Sequence, residues 1–520
     1  MDAISSTPSP TAEEDESLPD DVASCHQTIR TLRSRVAELE AKVEQLEAKL
    51  DKLLKRSFAA RSERAKQARK ANRDADDEPK KKRHEHGRSP LPSHLERREV
   101  IHDLTDERKK CPCCGQPRVC ISTHSVEQLD CDPIPFFVRK TTRKTYVCQS
   151  CEPSDVPAKK WSATSGPATV GPIAKGLCGP GLLAYVVTSK VADHVPLSRL
   201  EGIIARSGVR VSENTLGDWM RQAANLLKPL RDLMHRRVLL SRVIWTDDTR
   251  SRYVEPGRDT MPHGHFWVAI GDAAAPFTVF DFTTGYSAKE GPEPFFEGFK
   301  GYLHADGLKQ YDTLFARKGV WHVACWAHAR RKFLEAGESA RPVVEFIRRL
   351  YRIERTLPTP DTPEHIAHRK ALRGSQAVPV LESLKSWLEA ESKSALPKSP
   401  LGVAIGYVLN RWEAFVRYTE EGYLSIDNNL SERTLRMIAL GRKNWKFVGS
   451  ASSGAGAAIH YTLVGSCRHL GIDPFAYLRD VLPKMHALGA KPTDEQLADL
   501  LPDAWARRRQ AATVATTVVA

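Results

Sequence analysis

The sequence predicts a multi-domain α/β protein, in which a mixed-sheet core is interrupted by a helical insertion and preceded by smaller N-terminal modules. Three observations carry this prediction. Strand-like and helix-like patterns alternate from about residue 241, residues 22–54 repeat every seven positions, and two Cys-x-x-Cys pairs lie between these regions. The 520 residues also exceed what one ordinary hydrophobic core accommodates, which favours about three or four units.

The composition favours a polyanionic partner. Lys and Arg number 78 against 64 Asp and Glu, which gives a formal net charge of +14, and such an excess attracts nucleic acids. Residues 1–21 are acidic and polar, and we expect a disordered tail there. The longest apolar runs are far shorter than the roughly 20 residues that cross a bilayer, so we expect no membrane partner and a cytoplasmic location.

Residues 22–54 carry the heptad pattern of a coiled coil. Mostly branched residues occupy the first core position and Leu occupies most of the second, a combination that favours a parallel dimer. The core positions include Ile29, Val36 and Val43, then Leu32, Leu39 and Leu46. An amphipathic helix packed on its own chain is the alternative. Residues 55–100 follow as a predicted basic linker that contains "KKKR".

Residues 101–160 are predicted to form a zinc-binding domain. Cys111 and Cys114 stand in "CPCCGQP", and Cys148 and Cys151 stand in "YVCQSCE". Each short turn can aim two thiolates at one ion, so the two pairs match a tetrahedral zinc ribbon with one structural Zn²⁺. The alternating stretch "FFVRKTTRKTYVC" is predicted as a hairpin that returns the second pair to the first.

Residues 170–238 are predicted to be helical. The stretch "VPLSRLEGIIARSGVRVSENTLGDWMRQAANLL" indicates a helix, a turn at Gly208 and a second helix capped by Ser212, with Leu216 and Trp219 facing inward. This pattern fits a helix-turn-helix DNA-binding region. An ordinary helical hairpin fits it as well.

Residues 239–334 are predicted as the first part of the sheet core, with three strands, a helix, a strand, a helix and a strand in succession. Asp247 and Asp248 end the first strand, and Asp306 ends the fourth. If these strands are neighbours, the acids lie side by side. Two such carboxylates and a third from a nearby helix can bind two Mg²⁺ ions about 3.5 to 4 Å apart. Glu432 is the candidate for the third.

A helical insertion is predicted over 335–420, a core helix with Glu432 over 421–450, and a C-terminal helical element with a tail over 451–520. Local pattern alone favours a structural role for Glu432. Asn429 and Glu432 have the spacing of a capping box, and Glu432 with Arg436 has that of a helix ion pair.

Five stretches resemble successive blocks of the insertion sequence 66 transposase family: "WTDDT", "LHADGLKQYDTLF", "CWAHARRKF", "DNNLSERTLRMIALGRKNWKFVGS" and "DPFAYLRDVL". The resemblance implies a ribonuclease H-like core with an Asp-Asp-Glu triad, carried here by Asp247, Asp306 and Glu432. The family usually has Asp-Glu-Thr in the first block. This chain has Asp247-Asp248-Thr249, so Asp248 is a possible substitute ligand.

The segment "WHVACWAH" contains His322, Cys325 and His328, which could in principle form a metal site. We prefer a buried Cys325 and a His328 that braces the active site or contacts DNA. The resemblance suggests that Cys325 and His328 match a Cys-x-x-His element of related transposases, which does not act as a third ligand of the triad.

The resemblance implies a DNA transposase that binds the inverted ends of an insertion sequence and uses two Mg²⁺ ions. Water would free a 3′-hydroxyl, and this hydroxyl would attack target DNA. Basic residues near Glu432 are expected to bind phosphates, although a solvated helix face is the alternative. They are Arg433, Arg436, Arg442, Lys443 and Lys446.

Double-stranded DNA and a second copy of the chain are the expected partners, and the resemblance implies accessory proteins of the same element. The alternative function is that of a catalytically inactive, zinc-containing DNA-binding protein or regulator.

Overall fold

The computed structural model describes residues 27, 31–36, 38–39, 91, 95–131, 136–147, 164–166, 171–173, 176–359 and 361–519. The chain divides into two compact units, Met1–Arg88 and Ser89–Ala520. In the first unit the described residues are helical, and Leu32, Val36 and Leu39 are 56%, 53% and 57% exposed in the single chain. Most of the predicted coiled coil and basic linker lies outside the described residues, so the dimer stays a prediction.

The second unit begins with a mixed sheet in the order β1-β3-β2, with β4 against β3. Its strands are β1 (Arg97–His102), β2 (Val119–Cys131), β3 (Phe136–Val147) and β4 (Thr164–Ser165). The stretch predicted as a hairpin is the single strand β3, because it contains none of the residues that favour a tight turn. Its antiparallel partner is β2. β1 begins inside the segment predicted as a linker.

Three helices follow: α1 (Pro180–Val191), α2 (Leu197–Ala205) and α3 (Glu213–Val238). The Ser212 side chain accepts a hydrogen bond from the backbone N–H of Thr215, as predicted for a cap. Leu216 and Trp219 are buried, and Gly208 supplies the turn with a φ of 80°. The predicted helical pair is present. A role in binding DNA stays a prediction.

The main sheet is also mixed, in the order β7-β6-β5-β8-β9, and β10 pairs with the far end of β5. Its strands are β5 (Val243–Val254), β6 (His263–Ile270), β7 (Thr278–Thr283), β8 (Gly301–Ala305), β9 (Val320–Ala324) and β10 (Phe447–Ser450). The predicted succession of strands is confirmed, with short helices α4 (Pro292–Phe295) and α5 (Asp312–Phe315) in the crossings. β5 and β8 are parallel neighbours.

A group of helices separates β9 from the last part of the sheet, as predicted. They are α6 (Trp326–Glu335), α7 (Arg341–Arg355), α8 (Pro363–Leu372), α9 (Val378–Glu391), α10 (Pro400–Leu409) and α11 (Trp412–Val416). They share a hydrophobic core that includes Phe333, Leu384 and Phe415. Inside this group of helices, the buried Arg373 guanidinium donates two hydrogen bonds, of 2.8 and 2.7 Å, to the Glu354 carboxylate.

The chain then returns to the sheet through α12 (Asn429–Trp445) and β10, and ends in α13 (Ala451–His469), α14 (Pro474–Leu488), α15 (Asp494–Ala498) and α16 (Pro502–Val519). Helix α13 covers β7, where Ser466 Oγ accepts from Thr278 N and Thr462 Oγ1 accepts from Phe280 N, each at 2.9 Å. These bonds satisfy backbone groups at the sheet edge. Among the described residues, every helix is too short or too polar to span a bilayer.

Candidate active site

The register between β5 and β8 brings two of the candidate acids level with each other. Trp245 pairs with His304, and their rings stack with centroids 5.3 Å apart. Asp247 and Asp306 each follow two residues after this last pair, and the negative charge of Asp306 acts on the carboxyl group of Asp247. The pairing ends at this point, where the two strands part.

Asp247 does not end its strand, contrary to the prediction. β5 continues to Val254 because β6 pairs with it along this length, with Asp247 opposite Val268. What ends at the acids is the contact with β8. The carboxylates therefore lie on a backbone that hydrogen bonds hold on one side, which limits their movement.

Burial and like charge act together on the two aspartates. Burial raises the pKa of Asp247 to about 8, and the negative charges of Asp306 and then Glu432 add to this effect. Burial also raises the pKa of Asp306, while the nearby His328 acts in the opposite direction. A cation placed between the two carboxylates would therefore stabilise their ionised forms.

Glu432 reaches this region because the start of α12 is anchored to the strands. Asn428 is fully buried; its side-chain amide donates to the Thr246 carbonyl at 2.7 Å, and its backbone N–H donates to Cys325 Sγ at 3.2 Å. Glu432 follows one turn later. Its carboxylate lies 3.5 Å from His328 Nε2 and 3.7 Å from Arg331 on α6.

The start of helix α12 does not form the capping box that was the alternative role for Glu432. Helix α12 starts at Asn429, and Asn428 occupies the cap position without a side-chain capping bond. Within the described residues, the ion pairs of Glu432 are to His328 and Arg331 rather than to Arg436, which is exposed. The side chain of Glu432 is thus available on the side of the aspartates.

The three carboxylates suit magnesium by their chemistry. Mg²⁺ prefers oxygen ligands and usually binds through one or two carboxylates. Glu432 Oε1 is buried and lacks a hydrogen-bond partner among the described residues, whereas buried polar atoms are normally satisfied. Asp247, Asp306 and Glu432 therefore fit a divalent-cation site.

Asp248 has different partners from Asp247. Its carboxylate lies 2.8 Å from His265 Nδ1 and accepts a 3.4 Å hydrogen bond from the Tyr286 hydroxyl. The His265 and Tyr286 rings stack with centroids 3.8 Å apart. Because consecutive strand residues point to opposite faces, this arrangement leaves Asp247 as the acid that shares a face with Asp306.

Two of the predicted phosphate-binding residues, Arg442 and Lys446, lie among further cations. Both line a cavity of ≈ 540 Å³ together with Arg250, Arg252 and His263. Arg442, Arg250 and His263 also line a neighbouring cavity of ≈ 560 Å³. We call these five residues the basic cluster. Lys446 has a φ of 64°, a backbone conformation that residues other than glycine seldom adopt. The ≈ 560 Å³ cavity is also lined by Asp248, so the basic cluster adjoins the sequence neighbour of Asp247.

Like charges crowd one another in the basic cluster. Burial and then Arg250 lower the pKa of Arg442. Burial and then Arg250 and Arg252 lower the pKa of His263. An anion among these groups would relieve their repulsion. The other predicted phosphate contacts, Arg433, Arg436 and Lys443, are exposed on α12 and do not line these two cavities.

The sequence prediction missed Arg250, Arg252 and His263. The signal was present, because Arg250 and Arg252 are two apart in "TRSRYV" and so share a strand face. It went unused because the strand was predicted to end at the acids. Arg331 and Asn428 were missed as well, since each contacts Glu432 or its helix through the fold alone.

The described half of the predicted zinc ribbon forms a tight turn. Gly115 N donates to Cys111 O at 2.9 Å, Cys111 N donates to Gln116 O at 2.8 Å, and Gly115 has a φ of 71°. Further along, Val119 pairs with Val147, so β3 returns the chain toward this turn. Cys148 and Cys151 lie outside the described residues, and the Zn²⁺ site stays a prediction.

The three residues His322, Cys325 and His328 do not gather in one place. His322 stacks on Phe315 and lies 3.3 Å from Ala305 O. Cys325 is buried, as predicted, and His328 contacts Glu432. One ligand atom from each of Cys325, His328 and Glu432 lies within 4.8 Å of the others.

Comparison with known proteins places this arrangement in a family. Residues 175–456 match the family model described as "Transposase IS66 family", and residues 462–502 match the "IS66 C-terminal element". Two similar proteins of Sinorhizobium fredii (strain NBRC 101917 / NGR234) are named "Uncharacterized protein y4jD" and "Uncharacterized protein y4hP". The first is 31% identical over 432 residues, covering 80% of this chain and 81% of the relative. The second is 30% identical over 454 residues, covering 82% and 78%.

The matched family regions include β5 with Asp247, the residue Asp306 that follows β8, helix α12 with Glu432, and most of α13, which covers β7. The extent of the family match and the similarity over 81% and 78% of these two relatives lead to one conclusion: the chain belongs to the IS66 transposase family.

Proposed function

We propose that the protein is a DNA transposase that binds the inverted ends of an insertion sequence and cleaves and joins DNA strands at a site built from Asp247, Asp306 and Glu432. The observation that supports the proposal is the parallel pairing of β5 and β8, which ends two residues before Asp247 and two residues before Asp306. The order of the mixed sheet supports a ribonuclease H-like core. Family membership supplies the class of chemistry.

The three acids would hold two Mg²⁺ ions. When bound, these ions would activate the attacking oxygen and stabilise the leaving oxygen of a phosphodiester. The protein contributes the positions of the ligands. Leu308 N donates to Asp306 Oδ1 at 3.1 Å, and Asp248 N donates to Asp247 Oδ1 at 2.8 Å. These backbone bonds orient each carboxylate before substrate arrives.

The basic cluster would hold the DNA backbone beside the acids. Arg252 pairs with Phe447, and Lys446 immediately precedes Phe447, so β5 and β10 bring these cations together. They can contact phosphates of a duplex that lies along β5 and so help to position it. This contribution should weaken as salt rises, because bound cations displace counterions from DNA.

The remaining modules support a role in handling two DNA ends. The helical pair of α2 and α3 and the predicted zinc ribbon would recognise the ends. A dimer through residues 22–54 would supply two active sites, and accessory proteins of the same element would be further partners. We place the protein in the bacterial cytoplasm, at the nucleoid.

The test is cleavage of a duplex that carries the element end, in Mg²⁺ and separately in Mn²⁺. The unmutated protein should cut the duplex, and Asp306→Asn should bind it without cutting. Asp312→Asn is the matched control, because it makes the same change at an exposed acid six residues away. We expect it to cut normally.

Tight binding by the unmutated protein without cleavage in either metal would favour the other function, that of an inactive zinc-containing DNA-binding protein. Normal cleavage by Asp306→Asn would instead contradict the assignment of this acid. The two failures are distinguishable in one experiment.

A further inference from the structure

A thiol, an imidazole and a carboxylate meet where α6 faces α12. Cys325 directly follows β9 and occupies the N-cap position of α6, and His328 follows three residues later on the same helix face. Glu432 approaches from α12. One ligand atom from each residue lies within 4.8 Å of the other two. Two secondary-structure elements thus present three donors of different chemistry to a single point.

Two atoms of this group lack a hydrogen-bond partner, although Glu432 Oε1 lies 3.5 Å from His328 Nε2. His328 Nδ1 and Glu432 Oε1 are both buried and make no hydrogen bond within the described part of the chain. Burying a polar atom without a partner is costly, and such atoms are rare in folded proteins. Two of them in one cluster indicate a ligand that completes it.

The donor set identifies the class of ligand. Thiolate and imidazole are preferred by Zn²⁺ and similar transition metals, and a carboxylate is a common third ligand. Mg²⁺ selects oxygen donors and would not use the thiol. Cys325 Sγ already accepts a hydrogen bond from Asn428 N, which is compatible with metal binding, because protein ligands are commonly oriented by such contacts.

We propose that Cys325, His328 and Glu432 form a binding site for a thiophilic divalent ion of the Zn²⁺ class, and that an ion bound there withdraws Glu432 from Asp247 and Asp306. The competition for Glu432 rests on the proposed function, whereas the binding does not. Zinc at this site is therefore an inhibitor of the Mg²⁺-dependent reaction. Glu432 is the shared ligand that makes the two metal sites mutually exclusive.

The binding is tested with Co²⁺ as a coloured substitute for Zn²⁺, titrated into the full-length protein. Charge-transfer absorption reports thiolate ligation, and the end point reports stoichiometry. Cys325→Ser and His328→Ala should each bind one equivalent less Co²⁺ than the unmutated protein. Cys467→Ser is the matched control, because Cys467 is equally buried but lies on α13. Cys467→Ser should bind as much Co²⁺ as the unmutated protein.

The predicted zinc ribbon also takes up Co²⁺, so the comparison uses differences between variants, and circular dichroism checks that each variant is folded. Folded Cys325→Ser and His328→Ala with the unmutated stoichiometry and spectrum would overturn the proposal. In that case His328 only braces Glu432, and the Cys325 thiol only packs at the start of α6.

The competition is tested by titrating Zn²⁺ into the Mg²⁺-dependent cleavage reaction. Cys325→Ser should require at least about tenfold more Zn²⁺ than the unmutated protein for half inhibition of its own activity. Equal sensitivity of the two proteins would overturn the competition. If the unmutated protein does not cleave at all, the proposed function has failed, and the Co²⁺ stoichiometry still decides whether the site exists.

Discussion

The side-chain amide of Asn428 donates a 2.7 Å hydrogen bond to the backbone carbonyl of Thr246, which lies 182 positions earlier in the chain. Thr246 immediately precedes Asp247, and Asn428 lies one helical turn before Glu432. This one bond therefore connects the strand of the first candidate acid to the helix of the third. The geometry of the acids depends on it.

Asn428→Ala should destabilise the protein and slow DNA cleavage. The change removes the hydrogen bond and leaves the buried Thr246 carbonyl unsatisfied, which costs about 1–3 kcal/mol. Urea unfolding measures this loss, and a cleavage assay measures the displacement of Glu432. Asn444→Ala is the control, because Asn444 is exposed near the other end of α12. Equal stability of the two variants would contradict the role given to Asn428.

Asp247→Asn should stabilise the metal-free protein more at high pH than at low pH. The pKa of Asp247 is raised from 3.8 to about 8, so the folded state favours the neutral acid. The stability that this preference contributes is present below pH 3.8 and is lost as pH rises through about 8.

Thermal melting of the unmutated and Asp247→Asn proteins at about pH 5 and about pH 9 measures this difference. We expect the melting temperature of Asp247→Asn to rise relative to that of the unmutated protein as pH rises. Added Mg²⁺ should reduce this difference. A gain that does not depend on pH would show that Asp247 titrates normally.

Loss of the basic cluster should weaken DNA binding in a salt-dependent way. Each phosphate contact removed lowers the slope of log affinity against log salt by about 0.9. Arg252→Ala and Arg442→Ala should each reduce both affinity and slope, as measured by fluorescence anisotropy. Arg348→Ala is the control, since Arg348 is paired with Glu345 at 2.8 Å on α7, in the helical insertion. An equal effect of all three changes would rule out a special role for the cluster.

The strand order of the core could be predicted because its signals are local. Apolar alternation marks β5 to β9, and the acids at 247 and 306 stand where apolar runs end. The extent of β5 could not be predicted in this way. "DDTRSRYV" is polar enough to resemble a loop, and it remains a strand because β6 pairs with it. β10 was missed because four residues that include a glycine carry little periodicity.

The role of Glu432 is a case in which local pattern misleads. Its spacing from Asn429 and Arg436 favours a cap and a helix ion pair. The contacts that decide against this come from Thr246, His328 and Arg331, all distant in sequence. The pair of aspartates made Glu432 a candidate ligand beforehand, and the family resemblance favoured that role over the local pattern.

Removal of residues 1–54 should convert a dimer to a monomer. The described part of this segment is helical, with apolar side chains exposed in the single chain, and a partner helix would cover them. Light scattering after size-exclusion chromatography gives the mass of the full and shortened chains. A shortened chain that remains a dimer would place the interface elsewhere.

The most direct test of the central claim is metal-specific rescue at Asp306. Both Asp306→Asn and Asp306→Cys should reduce Mg²⁺-dependent cleavage of an element-end duplex by about a thousandfold or more, because a ligand of the reacting metals is lost. In Mn²⁺, which accepts sulfur more readily than Mg²⁺ does, Asp306→Cys should recover part of its activity and Asp306→Asn should not. Cleavage in Mg²⁺ by either variant at the unmutated rate would contradict metal ligation by Asp306.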